Sequence, residues 1–454
     1  MKSIDKEILR LSIPSILANI TIPLVGMVDT AVAGHMPGTG GANAATFIGA
    51  ISVGSMIFNL LYWNCSFLRT GTGGITAQAF GRNDMHECAA IFVRSIVTSI
   101  VMAGLVISLQ IPFLKLSLIV TDGSAEVENL AAQYFLIRIW AAPATLGLMA
   151  FTGWFVGMQD SMSSMWKDLA VNAVNVVASI ILSFGIGDFK GFGFAGVALG
   201  TVVAQYSGLL YCIIKCAVKY RGIIGLFKIG EFRSLFGADK MRGLFKMNAD
   251  LMVRSLCFTA IYLGYTIIAT GISDLMLACS SIMMQLLMIF SYFTDGFSYA
   301  GEAMSGKYIG AQDRDGLKAT ISHVFAWSMS IAILFIGIYI VSGAPLLRLM
   351  TNDNTVVEAC MAFLPWLIAM PPLGCAAFTW DGIYLGATAT SGIRNSMLGS
   401  AVTFLLVWGI GVAVWHPEGA AAMHLLMAAY FCHLAYRTVY MTVKYKKSVT
   451  SRIL

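Results

Sequence analysis

Charge is what this sequence has least of. Only 11% of its 454 residues are Asp, Glu, Lys or Arg, less than half of the roughly 25% usual in soluble domains. A soluble multidomain protein is excluded on that ground. Histidine is scarce, with six in all, and none of the nine cysteines falls in a C-x-x-C pair. Thiolate metal sites and CxxC redox chemistry lose their usual signature, and the cysteines read as reduced packing residues. No GxxxxGK[ST] is present to cradle nucleotide phosphates, and no HExxH to hold zinc. No convincing nucleophile triad appears. These absences argue against an enzyme, an ATP-driven machine and any cofactor.

What is there is apolar sequence. Hydrophobic residues make up 58% of the chain, and runs of about 20 or more recur from end to end, each long enough to cross a bilayer. Twelve spans are predicted, near 8–34, 44–68, 92–119, 127–157, 164–186, 192–220, 246–271, 275–305, 318–347, 356–387, 395–415 and 418–442. The fold class is therefore all-α polytopic membrane protein. The first run exceeds the core of a cleaved signal. The net charge of +6 is distributed as topology rather than as a nucleic-acid surface. Lys2, Lys6, Arg10, Arg82, Arg94, Lys167, the basic stretch 221–245, Lys307, Arg314, Lys318, Arg394, Arg437 and the C-terminal lysines fall at one set of ends. Only Lys115, Lys190 and Arg348 fall at the other. The positive-inside rule then puts both termini and the 221–245 linker in the cytoplasm of a plasma (inner) membrane protein. That linker is a solvated connector that also suits anionic lipid headgroups.

The linker separates two similar halves, 1–220 and 246–454. Gly81 in QAFGRND matches Gly310 in KYIGAQD, and Thr121 matches Thr351. Pro143 and Gly157 match Pro372 and Gly386, all at a near-constant offset. Six spans per half make parallel repeats about an axis along the membrane normal, a design in which a substrate sits between rocking lobes.

One acid interrupts the first span. In SIPSILANITIPLVGMVDTAVAGHM, residues 12–36, helical spacing puts Ser15, Asn19, Ile22, Gly26 and Asp29 on one stripe. A carboxylate at that depth marks a functional site by default. Protonation would remove its charge, and Pro23 and Gly26 supply a place for the helix to bend. In the fifth span Asp168, Asn172, Asn175, Ser179 and Ser183 form a second polar stripe. Its asparagines are candidate partners for Asp29, or else interhelical hydrogen-bonding residues of the kind common in bundles. One carboxylate among neutral oxygens suits a proton, the favoured ion, or sodium, a hard cation that takes oxygen ligands.

Six segments in order carry a family resemblance: NITIPLVGMVDTAVAGHM (19–36), GGITAQAFGRND (73–84), VNAVNVVASIIL (171–182), NADLMVRSLC (248–257), DGFSYAGEAMSGKYIGAQDRD (295–315) and DGIYLGATATSGIRNSM (381–397). Together they make the chain resemble the multidrug and toxic compound extrusion (MATE) family, in its DinF-type branch. The resemblance implies two six-helix lobes and alternating access. It also implies export of organic, often cationic, compounds in exchange for protons or sodium ions. It extends the first-lobe ion site to Tyr134 and Thr201. It also exposes a departure, because the position of Ser179 usually carries an aspartate.

The second half has its own acids, Asp250, Asp295, Glu302 and Asp381. Arg254, one turn after Asp250, is its expected partner. Asp295 and Glu302 share a face, and Asp381 lies where some MATE branches hold a cation. Arg138 is a charge with no assigned partner. Tyr292, Trp380 and Tyr384 neighbour acids and are candidates to line a substrate cavity, and the 26 methionines suit adaptable apolar contact. The inferred internal charge is mainly acidic, which favours cationic substrates over the alternative, a lipid-linked oligosaccharide flippase. A membrane enzyme or scaffold is the third possibility. One chain holds both lobes, so the monomer is the expected unit, with lipids and small organic molecules as its partners.

Overall fold

The computed structural model describes residues 2–36, 43–121 and 124–453. Among them the chain is helical throughout, broken only by turns. The α-helices are α1 (Lys2–Gly34), α2 (Ala44–Asn64), α3 (Phe67–Gly81), α4 (Met85–Ser108), α5 (Gln110–Thr121), α6 (Ala125–Arg138), α7 (Ala142–Gly157), α8 (Ser161–Phe184) and α9 (Phe194–Lys219). They continue with α10 (Arg221–Ile224), α11 (Phe232–Leu235), α12 (Ala238–Ile272), α13 (Asp274–Gly310), α14 (Arg314–Met350), α15 (Asn354–Gly386), α16 (Thr390–Trp415) and α17 (Gly419–Ser448).

Among the described residues twelve stretches are long and apolar enough to cross a membrane, in the order expected. Two are built from consecutive helices: α2 with α3, and α6 with α7. The third is shorter than expected. It ends at Ser108, and residues 110–119 belong to the separate helix α5. The last residues of the expected linker form the first turns of α12. Large apolar side chains on the spans lie bare, Val341 at 82% exposure among them, as lipid-facing residues do.

The chain forms two compact units. One comprises Met1–Ile16, Ala77–Asn83 and Met241–Leu454, and the other Leu17–Thr76 and Asp84–Lys240. The larger unit has a core of Tyr265, Phe290, Phe363, Phe404 and their neighbours. The other is centred on Phe47, Phe58, Tyr134, Phe135 and Phe194, with Phe58 and Phe135 stacked at 5.0 Å.

The sequence repeat is a repeat of backbone geometry. A Cβ on Gly153 would lie 2.2 Å from the Arg69 carbonyl oxygen, and one on Gly157 would lie 2.7 Å from that of Gly73. In the second half Gly382 and Gly386 meet the carbonyls of Ser298 and Glu302 at 2.0 and 2.3 Å. All four positions recur 229 residues on. Each half thus has such a helix pair, its backbones touching where a side chain would hold them apart. Turns recur at the same interval: Asn83 and Gln312 have φ of 58° and 57°, and Gln159 and Thr388 have 62° and 52°. Asp84 and Asp313 each cap the helix that follows.

Candidate functional site

Asp29 is buried near the end of α1, at 3% exposure. Ser179 of α8 donates a hydrogen bond to its Oδ1 at 3.3 Å. Eight residues earlier on α1, the Thr21 hydroxyl accepts from Asn172 Nδ2 at 2.5 Å. The paired numbers rise together, so α1 and α8 run parallel, as first and fifth spans must. α1 itself is one uninterrupted helix through Pro14 and Pro23. At Gly26 a Cβ would meet nothing within 4 Å, so packing does not require glycine there.

The close approach of α8 to α9 at Ser179 requires the glycine at 200. A Cβ on Gly200 would lie 2.5 Å from Ser179 Oγ and 2.6 Å from its Cα. Ser179 is fully buried in that crossing. One turn away, Asn175 Nδ2 donates to Thr201 Oγ1 at 3.1 Å, while Asn175 Oδ1 is buried without a hydrogen-bond partner among the described residues. Asp168, on the same stripe, turns instead to Lys167 Nζ at 2.7 Å.

Arg138 gains its partners here. Its Nη1 donates to the Tyr134 hydroxyl at 2.7 Å, and its guanidinium lies 4.7 Å from the Phe58 ring centre. The Tyr134 ring rests on Gly54, where a Cβ would come within 2.5 Å of it. Arg138 is close enough for its positive charge to act on the Asp29 carboxylate. Of the first-half candidates, Ser179 bonds Asp29 directly, Asn175 and Thr201 bond each other, Asn172 bonds Thr21, and Tyr134 bonds Arg138.

The second half departs from the sequence expectation. Asp250 does not pair with Arg254. Its Oδ1 takes Arg394 Nη1 at 2.7 Å and its Oδ2 takes the Thr390 hydroxyl at 3.0 Å. Arg254 instead donates to Asp381 Oδ2 at 2.9 Å, and Arg437 Nη2 donates to the same oxygen. Arg437, counted from sequence as a topological charge, is buried at 2% exposure. Its place in an apolar run one turn after His433 was the available signal. The interior of this half is thus not mainly acidic at these two sites: three arginines meet two aspartates. The tertiary pairing was invisible in sequence because the partners lie on α12, α15, α16 and α17.

The remaining candidates are placed apart. Glu302 is fully buried on α13, and Asp295 is half-buried on the same helix beside Tyr292. Trp380 and Tyr384 are buried, and each is tied to α17. Trp380 Nε1 donates to Thr442 Oγ1 at 2.8 Å, and the Tyr384 hydroxyl donates to the Met441 carbonyl at 2.7 Å. A small apolar cavity in this half is lined by Met283, Met284, Met370 and Met427, with Tyr265, Tyr430, Leu287 and Leu367. Among the described residues no three His, Cys, Asp or Glu side chains are grouped to hold a metal ion.

Comparison with known proteins gives a consistent picture. The MatE family pattern matches residues 14–184 and 251–408. The chain is 31% identical over 408 residues to DNA damage-inducible protein F of Escherichia coli K12, covering 89% of this chain and 86% of that one. Among solved structures, a MOP superfamily transporter from Pyrococcus furiosus superposes with a TM-score of 0.86 at 13% identity, over 99% of this chain and 96% of that one. A MATE family transporter described as outward-facing matches equally, with a TM-score of 0.86 at 14% identity and the same coverage.

Proposed function

The chain belongs to the MatE family of multidrug and toxic compound transporters, and from that premise we propose that it is a secondary active exporter driven by ion exchange at Asp29. Organic compounds leave in exchange for protons, with sodium as the alternative ion, by alternating access between two six-helix lobes, 1–220 and 246–454, joined by the connector 221–245. The protein works as a monomer in the plasma membrane, with both termini cytoplasmic by the Lys and Arg distribution.

The observation that carries this reading is the buried Asp29 carboxylate, hydrogen-bonded across helices by Ser179. An acid that deep is stable as a neutral group or with a bound cation, and the difference between those states is what an exchanger needs. A proton requires one carboxylate oxygen. Sodium requires several oxygens around it and would sit in the field of Arg138. Family membership supports an exporter over a lipid-linked oligosaccharide flippase.

The test is exchange in proteoliposomes under separately imposed pH and sodium gradients. The native chain should respond to the pH gradient, and Asp29→Asn should lower gradient-driven exchange at least tenfold. Full coupling in Asp29→Asn would remove Asp29 from the mechanism. A response to sodium alone would reassign the ion.

A further inference from the structure

The group Arg254, Asp381 and Arg437 is one negative charge short. Two guanidiniums, from α12 and α17, converge on a single oxygen of the α15 carboxylate. Asp381 Oδ1 and Arg437 Nε are buried with no hydrogen-bond partner among the described residues. A carboxylate fully matched to arginines uses both oxygens in paired, planar bonds. Here half of the acceptor and part of one donor fork are left over. The nearest acid along α12, Asp250, is already held by Arg394 and Thr390. His433, one turn before Arg437 on α17, lies against the Tyr430 carbonyl and brings no negative charge. The Arg437 guanidinium also lies 5.6 Å from the Phe378 ring centre. A buried guanidinium with an unpartnered N–H calls for an acceptor, and an anion is the strongest one.

We propose that Arg254 and Arg437 receive an anionic group of the transported compound (a carboxylate, sulfonate or phosphate), with Asp381 as the internal counter-ion that this group displaces. Arg254 is the approachable member: its side chain is 23% exposed, against 3% for Arg437 and 6% for Asp381. Tyr430, two turns before Arg437 on α17, is one wall of the methionine-lined cavity. That cavity is small and does not include the three charged side chains, so the charged group alone sets the substrate class as organic anions or zwitterions. The inference rests on the exporter reading only in calling this ligand the transported compound.

The test is equilibrium binding to the purified chain in detergent, with no gradient present. The probes are an anionic fluorescein-type dye and a cationic rhodamine-type dye of similar ring system. Neutralising the two partners should have opposite effects. Arg254→Gln should weaken anionic-dye binding about tenfold or more, the range of a hydrogen bond to a charged group. Asp381→Asn should tighten it by a similar factor, because both guanidiniums lose their competitor. Asp381→Asn should not tighten the cationic dye. Arg254→Lys, which keeps the charge but loses the planar fork, should fall between native and Arg254→Gln, and it stands in if the glutamine variant does not fold. Weaker or unchanged anionic-dye binding in a monodisperse Asp381→Asn protein overturns the proposal. The expected binding pattern without gradient-driven uptake of the same dye would keep the anion site and overturn its assignment to the transported compound, while loss of all gradient-driven exchange would overturn the exporter reading.

Discussion

Gly81 and Gly310 are packed reciprocally. A Cβ on Gly81 would lie 1.9 Å from the carbonyl oxygen of Lys307, and one on Gly310 would lie 2.1 Å from that of Gln78. Each glycine meets the residue three before the other, the self-complementary contact that a local two-fold axis produces. Both struck atoms are backbone, so neither can swing aside. Gly81→Ala or Gly310→Ala should each destabilise the protein by about 1–3 kcal/mol or more, as overpacking does. Thermal unfolding in detergent measures this. Gly104→Ala is the control: a Cβ there meets nothing within 4 Å, so that variant should be neutral or slightly more stable. Equal melting temperatures for all three would show that the crossing tolerates a methyl group.

Arg394 is the bond that makes Asp250 tolerable at 4% exposure. Removing one partner of a buried ion pair costs about 3–5 kcal/mol. Arg394 is a third exposed, which screens the pair and lowers the expectation for Arg394→Gln to about 2–3 kcal/mol. Asp250→Asn combined with Arg394→Gln should restore most of that loss. A double variant as unstable as Arg394→Gln alone would mean that the pair itself is not the source.

Asp160 lies between two spans and has a defined pH signature. Burial pushes its carboxyl upward, but hydrogen bonds from Lys219 at 2.5 Å, Ser163 at 2.6 Å and Tyr220 at 2.6 Å outweigh that and hold it below the usual carboxylate range. A lowered folded-state value means the ionised carboxyl stabilises the fold above its unfolded value, about 3.9. That contribution fades as pH falls through the lower folded-state value. At pH 7 Asp160→Asn should cost about 1–2 kcal/mol, since the helix cap and the charge-assisted bonds weaken together. Below about pH 4, native and variant melting temperatures should converge. A constant difference from pH 7 to pH 3 would rule out the ionised form as the stabilising one.

The parts of this fold legible in sequence were those written locally. Apolar length marked all twelve spans, because a bilayer crossing is a property of one segment. The repeat was visible through Gly157 and Gly386, since a glycine forced by backbone contact cannot drift to another residue. Asp29 stood out because a charge in an apolar run is conspicuous whatever it touches. Partnership was not legible. Arg254 and Asp250 sit one turn apart, yet each is bound by residues more than a hundred positions away. Helical spacing knows only the neighbours on its own helix. The glycine crossings recur 229 residues on, but Asp29 and Asp381 have Phe258 and Thr152 at the corresponding positions. The two halves share the glycine frame and differ in these charges.

The two bonds joining α1 to α8 limit how α1 can move. Thr21 and Asn172 fix one point, and Asp29 and Ser179 fix another, eight residues and roughly 12 Å further along the helix. A rod tethered at two points on one line can neither slide nor swing. If the Asp29 tether loosens while the Thr21 tether holds, sliding stays blocked and the second bond no longer opposes a swing about Thr21, which leaves the packing of Val32 and Ala33 as the remaining restraint. Pro23 and Gly26 lie between the two tethers, on the arm that would turn. A chemical change at that single carboxylate would then favour an angular displacement over a translation.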